Sequence, residues 1–109
     1  MKSYTDLEQS QKLAKFLPLE SADGTWSDSG LPCWNLAALM SVFPKEEGSC
    51  TSLSFGYYDA NGNHINSWLC CYEKEGESTD DYIIETISAD NPIDCCYEMI
   101  LKLKEKGLL

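Results

Sequence analysis

The segment Asp59-Ala60-Asn61-Gly62-Asn63 lies between two stretches in which apolar side chains alternate with polar or small ones. The first stretch covers residues 51–58 and the second covers residues 64–72. Turn-forming residues between two alternating stretches predict a β-hairpin, whose apolar side must be covered by another layer of structure. This hairpin constrains the fold more than any other feature, because it sets two antiparallel strands side by side in the middle of the chain.

Two registers of this hairpin are open. A two-residue turn at Asn61-Gly62 would place Trp68 opposite Phe55, whereas a type I turn with the glycine in the left-handed bulge position would place Ser67 there. Asp59 favours the bulged turn, because its side chain suits the first position of a type I turn. In that register Trp68 would lie on the face opposite Phe55, since a shift of one residue moves every side chain of a strand to the other face.

Two helices are predicted before the hairpin. Thr5 and Glu8 have the spacing of a capping box, which predicts a first helix over residues 5–16. The second helix is predicted to have Pro32 in its first turn and to end before Pro44. Almost none of the side chains between these two prolines is charged, so this helix is expected to be buried on most sides.

A third strand and a third helix are predicted after the hairpin. Residues 82–87 are rich in β-branched side chains, which favours a short strand. Asn91 and Pro92 then form a strong helix start, and Gly107 is the matching helix end. The order α-α-β-β-β-α predicts a single small α+β domain over residues 1–109, with a three-stranded antiparallel meander packed with about three helices.

The charged residues exclude several classes of function. Eighteen Asp and Glu residues stand against eight Lys residues, with no Arg and one His, so the net charge is -10. Binding to the phosphates of nucleic acids or to anionic membranes depends on Lys and Arg, so direct binding to nucleic acid or membrane is not expected. No signal peptide is visible in residues 1–6 and no apolar run is long enough to span a bilayer, which predicts a cytoplasmic protein.

The six cysteines are interpreted as reduced thiols that serve mainly as small buried apolar residues. Neither Cys70-Cys71 nor Cys95-Cys96 has zinc-ligand spacing, so neither a metal nor another cofactor is predicted. An alternative is a thiol-dependent enzyme or redox protein that uses Cys33 or Cys95/Cys96, because the first turn of a helix can lower the pKa of a thiol. Its only available imidazole base would be His64.

Two groups of side chains are candidate binding sites, and no residue is predicted to be catalytic. Exposed aromatic rings often anchor protein partners, and carboxylates in mobile connections can meet basic partners. The aromatic candidates are Trp68, Tyr72, Tyr58 and Trp26. The acidic candidates, in the connection after the hairpin, are Glu73, Glu75, Glu77, Asp80 and Asp81.

Three parts of the chain carry a resemblance to a known family. They are Tyr4-Thr5-Asp6-Leu7-Glu8-Gln9-Ser10 through Leu17-Pro18-Leu19-Glu20-Ser21-Ala22-Asp23, then Pro32-Cys33-Trp34-Asn35-Leu36-Ala37-Ala38-Leu39, and Asn91-Pro92-Ile93-Asp94-Cys95-Cys96-Tyr97-Glu98-Met99-Ile100. These parts resemble an uncharacterised family of small acidic proteins from gut anaerobic bacteria and their phages or mobile elements. The resemblance implies a bacterial cytoplasmic or phage-related setting and carries no activity or site residues.

Together these features predict a small non-enzymatic module that binds another protein. The resemblance and the negative charge favour a modulator of a basic host protein, since dense negative charge can compete for a basic groove. The thiol-dependent enzyme is the alternative. A homodimer formed through the outer sheet face or an edge strand is a further possibility.

Overall fold

The computed structural model describes residues 2–26, 29–78 and 81–109. The helices are α1 (Leu7–Ala14), α2 (Leu36–Val42) and α3 (Pro92–Glu105), with a short 3-10 turn at Leu19–Ser21. The strands are β1 (Gly24–Thr25), β2 (Pro32–Cys33), β3 (Ser49–Tyr58), β4 (His64–Lys74) and β5 (Ile83–Ala89). The order β3-β4-β5 forms an antiparallel meander, and β1-β2 forms a small second sheet. The predicted α+β fold is confirmed.

The residue that caps the start of helix α1 is one position later in the sequence than predicted. The cap is Asp6, whose carboxylate accepts from the Gln9 amide at 2.8 Å, while the Gln9 side chain accepts from the Asp6 amide at 3.0 Å. The prediction of Thr5 and Glu8 in these roles is wrong. Thr5 is buried, and its hydroxyl accepts a hydrogen bond from the Trp34 amide at 3.1 Å, so a tertiary contact takes the side chain away from the helix end.

Helix α2 also begins later than predicted, at Leu36 instead of Pro32. Asn35 caps it by accepting from the Ala38 amide at 2.8 Å. Pro32 and Cys33 instead form β2, in which Cys33 pairs with Gly24. The predicted helix start is wrong because strand pairing holds these two residues extended, and Cys33 therefore lies outside the first turn of any helix.

Helix α3 has the predicted start and covers one face of the meander. The Asn91 side chain accepts from the Asp94 amide at 2.8 Å, and Pro92 is at the first helical position. The helix packs on β4 and β5, and α2 packs on α3 from the other side. This sandwich buries most of α3, including Cys96, Ile100 and Leu103. Along the described residues, no helix is long and apolar enough to cross a membrane.

The hairpin uses both registers, one at each end. At the turn the bulged form is present, because Tyr58 pairs with His64 and Gly62 has a φ of 81°. Between Phe55 and Tyr57 the register shifts, so that Gly56, with a φ of 82°, lies opposite two residues of β4. Phe55 then pairs with Trp68, as a two-residue turn would have required.

Candidate interaction surface on the hairpin arm

The end of the β3–β4 hairpin extends past the third strand. Strand β5 ends at Ala89, which pairs with Trp68, so beyond this point β3 and β4 pair only with each other. We call residues 55–68 the hairpin arm. The protein is 47 Å long and has a radius of gyration of 14.9 Å. A compact domain of 109 residues would have a radius of gyration of about 13 Å, so the protein is elongated.

Four rings line the helix side of the arm, and we call them the aromatic face. Phe55 and Trp68 form an edge-to-face pair with ring centroids 5.4 Å apart, and Tyr58 and His64 form a second at 5.1 Å. The two pairs share a face because the Tyr57 hydroxyl donates to Ser88 on the opposite side, so Tyr58, the next residue, faces the helices. The pairs are about 10 Å apart along β3, since Phe55 and Tyr58 are separated by three residues.

The two rings of β3 are exposed because α3 does not reach them. Tyr58 is 73% exposed and Phe55 is 59% exposed. Trp68, in contrast, is half-buried against the core, and its carbonyl oxygen is 3.6 Å from the Cys95 thiol in the first turn of α3. The aromatic face is therefore fixed to the core at its Trp68 end and is open to solvent towards Tyr58.

The arm carries one carboxylate, Asp59, and no lysine. No lysine occurs between Lys45 and Lys74, and Glu46, Glu47 and Glu73 in this interval lie at the base of the hairpin. At the tip, the Asp59 carboxylate accepts from the amides of Asn61 and Asn63, each at 2.9 Å, which holds the turn and places a negative charge beside the rings. The combination of apolar rings and negative charge suits a cationic side chain, which can stack on aromatic faces.

The structure brings together only two of the four predicted aromatic residues. Tyr58 and Trp68 lie on the aromatic face, but Tyr72 is 1% exposed in the core under α3. Trp26 lies between the two strands of the small second sheet, is 39% exposed, and donates through its indole nitrogen to the Ser10 hydroxyl at 3.3 Å. The expectation of one exposed surface including Tyr72 is wrong, because the register shift turns Tyr72 towards α3.

Phe55 and His64 belong to the surface but were absent from the predicted set. Phe55 alternates with Leu53 and Thr51 in the sequence, a pattern typical of a half-buried strand, and His64 is exposed beside the turn. The available signal was Gly56, since a glycine inside a strand pattern indicates a bulge. A bulge there makes Phe55 and Trp68 cross-strand neighbours while preserving the turn.

The predicted acidic residues lie at the other end of the hairpin. The Glu73 carboxylate accepts from the Tyr82 hydroxyl at 2.8 Å and from the Cys71 thiol at 3.7 Å, so it has partners within the sheet. Asp81 accepts from the Ser78 hydroxyl at 3.1 Å. Glu75 and Glu77 are exposed, and Asp80 lies outside the described residues. These carboxylates do not extend the aromatic face.

The thiols of Cys33, Cys70 and Cys95 have pKa values above the ordinary cysteine value. Burial, and secondarily Asp23, raises the pKa of Cys33, and burial raises the pKa of Cys95 to about 11. A hydrogen bond with Cys96, together with burial, raises the pKa of Cys70. A reactive cysteine needs a lowered pKa. All six cysteines are free thiols, and the described ranges contain no cluster of three or more His, Cys, Asp or Glu side chains placed to hold a metal ion.

Comparisons with protein families, with curated proteins and with solved structures find no significant match to this chain. The similarity to small acidic proteins of gut bacteria and their mobile elements therefore stays a prediction from sequence. The aromatic face has to be interpreted from its own geometry and charge.

Proposed function

We propose that this protein is a non-enzymatic interaction module whose aromatic face docks on a basic protein. The observation that carries the proposal is the pairing of two exposed rings, Phe55 and Tyr58, with cross-strand rings on an arm whose one carboxylate, Asp59, lies beside them. Each ring is already held by its neighbour, so binding would restrict few further rotations. Aromatic anchors of this kind supply a large share of the energy of protein interfaces.

The partner's chemistry follows from the charge. A net charge of -10 attracts a positively charged surface from a distance, and an Arg or Lys side chain can then stack on the rings. In the bacterial or phage-related setting that the sequence resemblance implies, such a partner would be a basic host protein, for example one whose nucleic-acid groove this acidic protein occupies. This proposal assumes a cytoplasmic location, in which the six thiols remain reduced.

The test compares proteins captured from a native bacterial lysate by three immobilised baits. They are the wild-type chain, a Phe55→Ser/Tyr58→Ser variant, and an Ile84→Ser control. Ile84 is 53% exposed on the opposite sheet face, so the control removes exposed apolar surface away from the arm. We expect a basic protein to be retained by the wild-type and control baits and lost from the arm variant.

Affinity for the captured protein would then be measured against salt concentration. We expect the arm variant to bind at least about tenfold more weakly, which corresponds to about 1.4 kcal/mol. Wild-type affinity should fall as salt rises, because the attraction includes exposed charges. The proposal fails if the arm variant retains the same partner at unchanged affinity, or if the partner is acidic and its binding is insensitive to salt.

A further inference from the structure

A groove at the opposite end of the helical layer is distinct from the aromatic face. It has a volume of about 490 Å³ and lies where the C-terminal ends of α1, α2 and α3 meet. Its walls are mainly apolar and include Phe16, Leu17, Val42, Leu108 and Leu109. Small-molecule sites have volumes of roughly 300–1,000 Å³ and a similar mixture of apolar lining with a few polar groups.

The charged groups of this groove differ from those of the rest of the protein. Five of the eight lysines pair with carboxylates: Lys2, Lys12, Lys74, Lys102 and Lys106. Within the part of the chain that the structure describes, Lys15, Lys45 and Lys104 form no such pair. Two of these three, Lys45 and Lys104, line the groove. An acidic protein thus keeps two uncompensated cations beside an apolar surface.

The side-chain carboxylate of Glu46 does not cancel these cations. Glu46 also lines the groove, but its carboxylate is 2.9 Å from the ammonium of Lys74. The Lys104 ammonium lies 5.5 Å from the centroid of the Phe16 ring, so the positive charge is held directly against the apolar wall. A bound molecule would therefore meet an apolar channel and positive charge together.

We propose that this groove binds an anionic amphiphile, namely an unbranched alkyl chain with a carboxylate head group. The alkyl chain lies against the apolar lining, and the carboxylate is attracted by Lys45 and Lys104. Binding is non-covalent and independent of the hairpin arm. This site extends the protein beyond the proposed protein-binding role, because it gives the chain a small-molecule ligand.

The first test varies the ligand and measures binding to the full chain by titration calorimetry, below the concentration at which the ligand forms micelles. Dodecanoate is the probe, decanoate shortens the alkyl chain, and dodecanol removes the charge. We expect saturable binding of one dodecanoate per chain and weaker binding of dodecanol. Each buried methylene should change affinity by about two- to fourfold, since part of the groove remains open to water.

The second test varies the protein. In a Lys45→Gln/Lys104→Gln variant, dodecanoate affinity should fall about five- to tenfold, because two exposed charge contacts are lost. Lys12→Gln, on the exposed side of α1, is the matched control and should bind within about twofold of wild type. Ser41→Trp places a large ring at an exposed position of the groove lining and should abolish binding.

Three results would overturn the proposal. They are absence of saturable binding to the wild-type chain, equal affinity for dodecanoate and dodecanol, and retention of affinity in the Ser41→Trp variant. Sedimentation of the ligand-free protein addresses the other possible occupant, a second copy of the chain. A dimer that Ser41→Trp dissociates would assign the groove to self-association, which would also overturn the proposal.

Discussion

Tyr72 and Tyr58 lie on the same side of the same hairpin, yet one is 1% exposed and the other 73% exposed. Residue type does not explain this difference. Helix α3 begins at Pro92, just after the end of β5, and therefore covers the base of the hairpin but not the arm. The comparison shows that one helix start divides a continuous sheet surface into a core part and a surface available for binding.

The two parts are stabilised by different interactions. At the base, Tyr72 and Cys70 are buried between the sheet and α3, where lost contacts leave a cavity. On the arm, each aromatic pair stabilises the fold by about 0.5–1.5 kcal/mol in addition to the stabilisation from burial of the rings. An isolated two-stranded hairpin is marginal in water, so the arm depends on the base for its conformation. The variants below test this dependence, from the largest expected effect to the smallest.

The largest effect is expected at Tyr72. Tyr72→Ala should lower the free energy of unfolding by about 3–5 kcal/mol, because it removes a fully buried ring. Apart from the loss of the ring contact with His64, Tyr58→Ala should lower the free energy of unfolding by less than about 0.5 kcal/mol. Urea denaturation followed by circular dichroism measures both values.

Tyr72→Phe is the control for this pair, since it keeps the ring and should cost far less than Tyr72→Ala. Equal costs for the alanine variants at Tyr72 and Tyr58 would contradict the division of the hairpin into a covered base and an exposed arm. A large cost at Tyr58 alone would place the core at the arm.

The next effect is expected at Gly56, where the register changes. An added Cβ would lie 3.1 Å from the His64 ring nitrogen, and the φ of 82° is strained for other residues. Gly56→Ala should therefore cost about 1–2 kcal/mol in unfolding free energy from the backbone alone, with crowding added. Gly62→Ala is the matched control, because Gly62 has a φ of 81° and open space around it.

The difference between these two glycine variants measures the crowding at His64. A second measurement uses nuclear Overhauser effects between the Phe55 and Trp68 rings, which report the register where the arm joins the base. We expect these to weaken in Gly56→Ala and to persist in Gly62→Ala. Equal stability and unchanged contacts in both variants would mean that the register shift does not require glycine at position 56.

The hairpin also shows what could be predicted from the sequence. Asp59 and Gly62 specify the bulged turn through local interactions, and Asn91 and Pro92 specify the start of α3 in the same way. Beyond the turn, the register depends on a second irregularity at Gly56. This irregularity cancels the one-residue shift that the bulged turn introduces. Local signals predict the bulged turn and the start of α3, but the shift at Gly56 was not predicted, and the faces of Trp68 and Tyr72 depend on the sum of both shifts.

The ends of the helices before the hairpin were harder to predict because tertiary contacts compete with local capping. Thr5 has the side chain of a helix cap but bonds to the Trp34 amide, so Asp6 caps instead. Pro32 suits a first helical turn but pairs with Thr25 in a strand. Only part of the aromatic face could be predicted from the sequence, because the exposure of its rings depends on how far α3 extends over the sheet. No local pattern specifies that limit.

The smallest effect concerns the boundary between the covered base and the arm, and it depends on pH. Asp94, in the first turn of α3, accepts from Lys2 at 2.7 Å, from Gln9 at 2.8 Å and from the Asn91 side chain at 2.8 Å. Burial would raise the pKa of Asp94, but these hydrogen bonds outweigh it and hold the pKa below its ordinary value of 3.8. The contacts join the starts of α1 and α3.

Because the folded-state pKa of Asp94 is lowered, its contribution to stability is complete above the unfolded-state value and is lost as pH falls through the folded-state pKa. We expect Asp94→Asn to cost about 1 kcal/mol near pH 7 and to make unfolding free energy fall less steeply below about pH 4. Asp90→Asn, at an exposed position before the helix, controls for the loss of one negative charge. If Asp94→Asn and wild type lose stability in parallel on acidification, Asp94 does not hold the start of α3 in place. The Asn91 cap and packing alone would then determine how far α3 covers the hairpin.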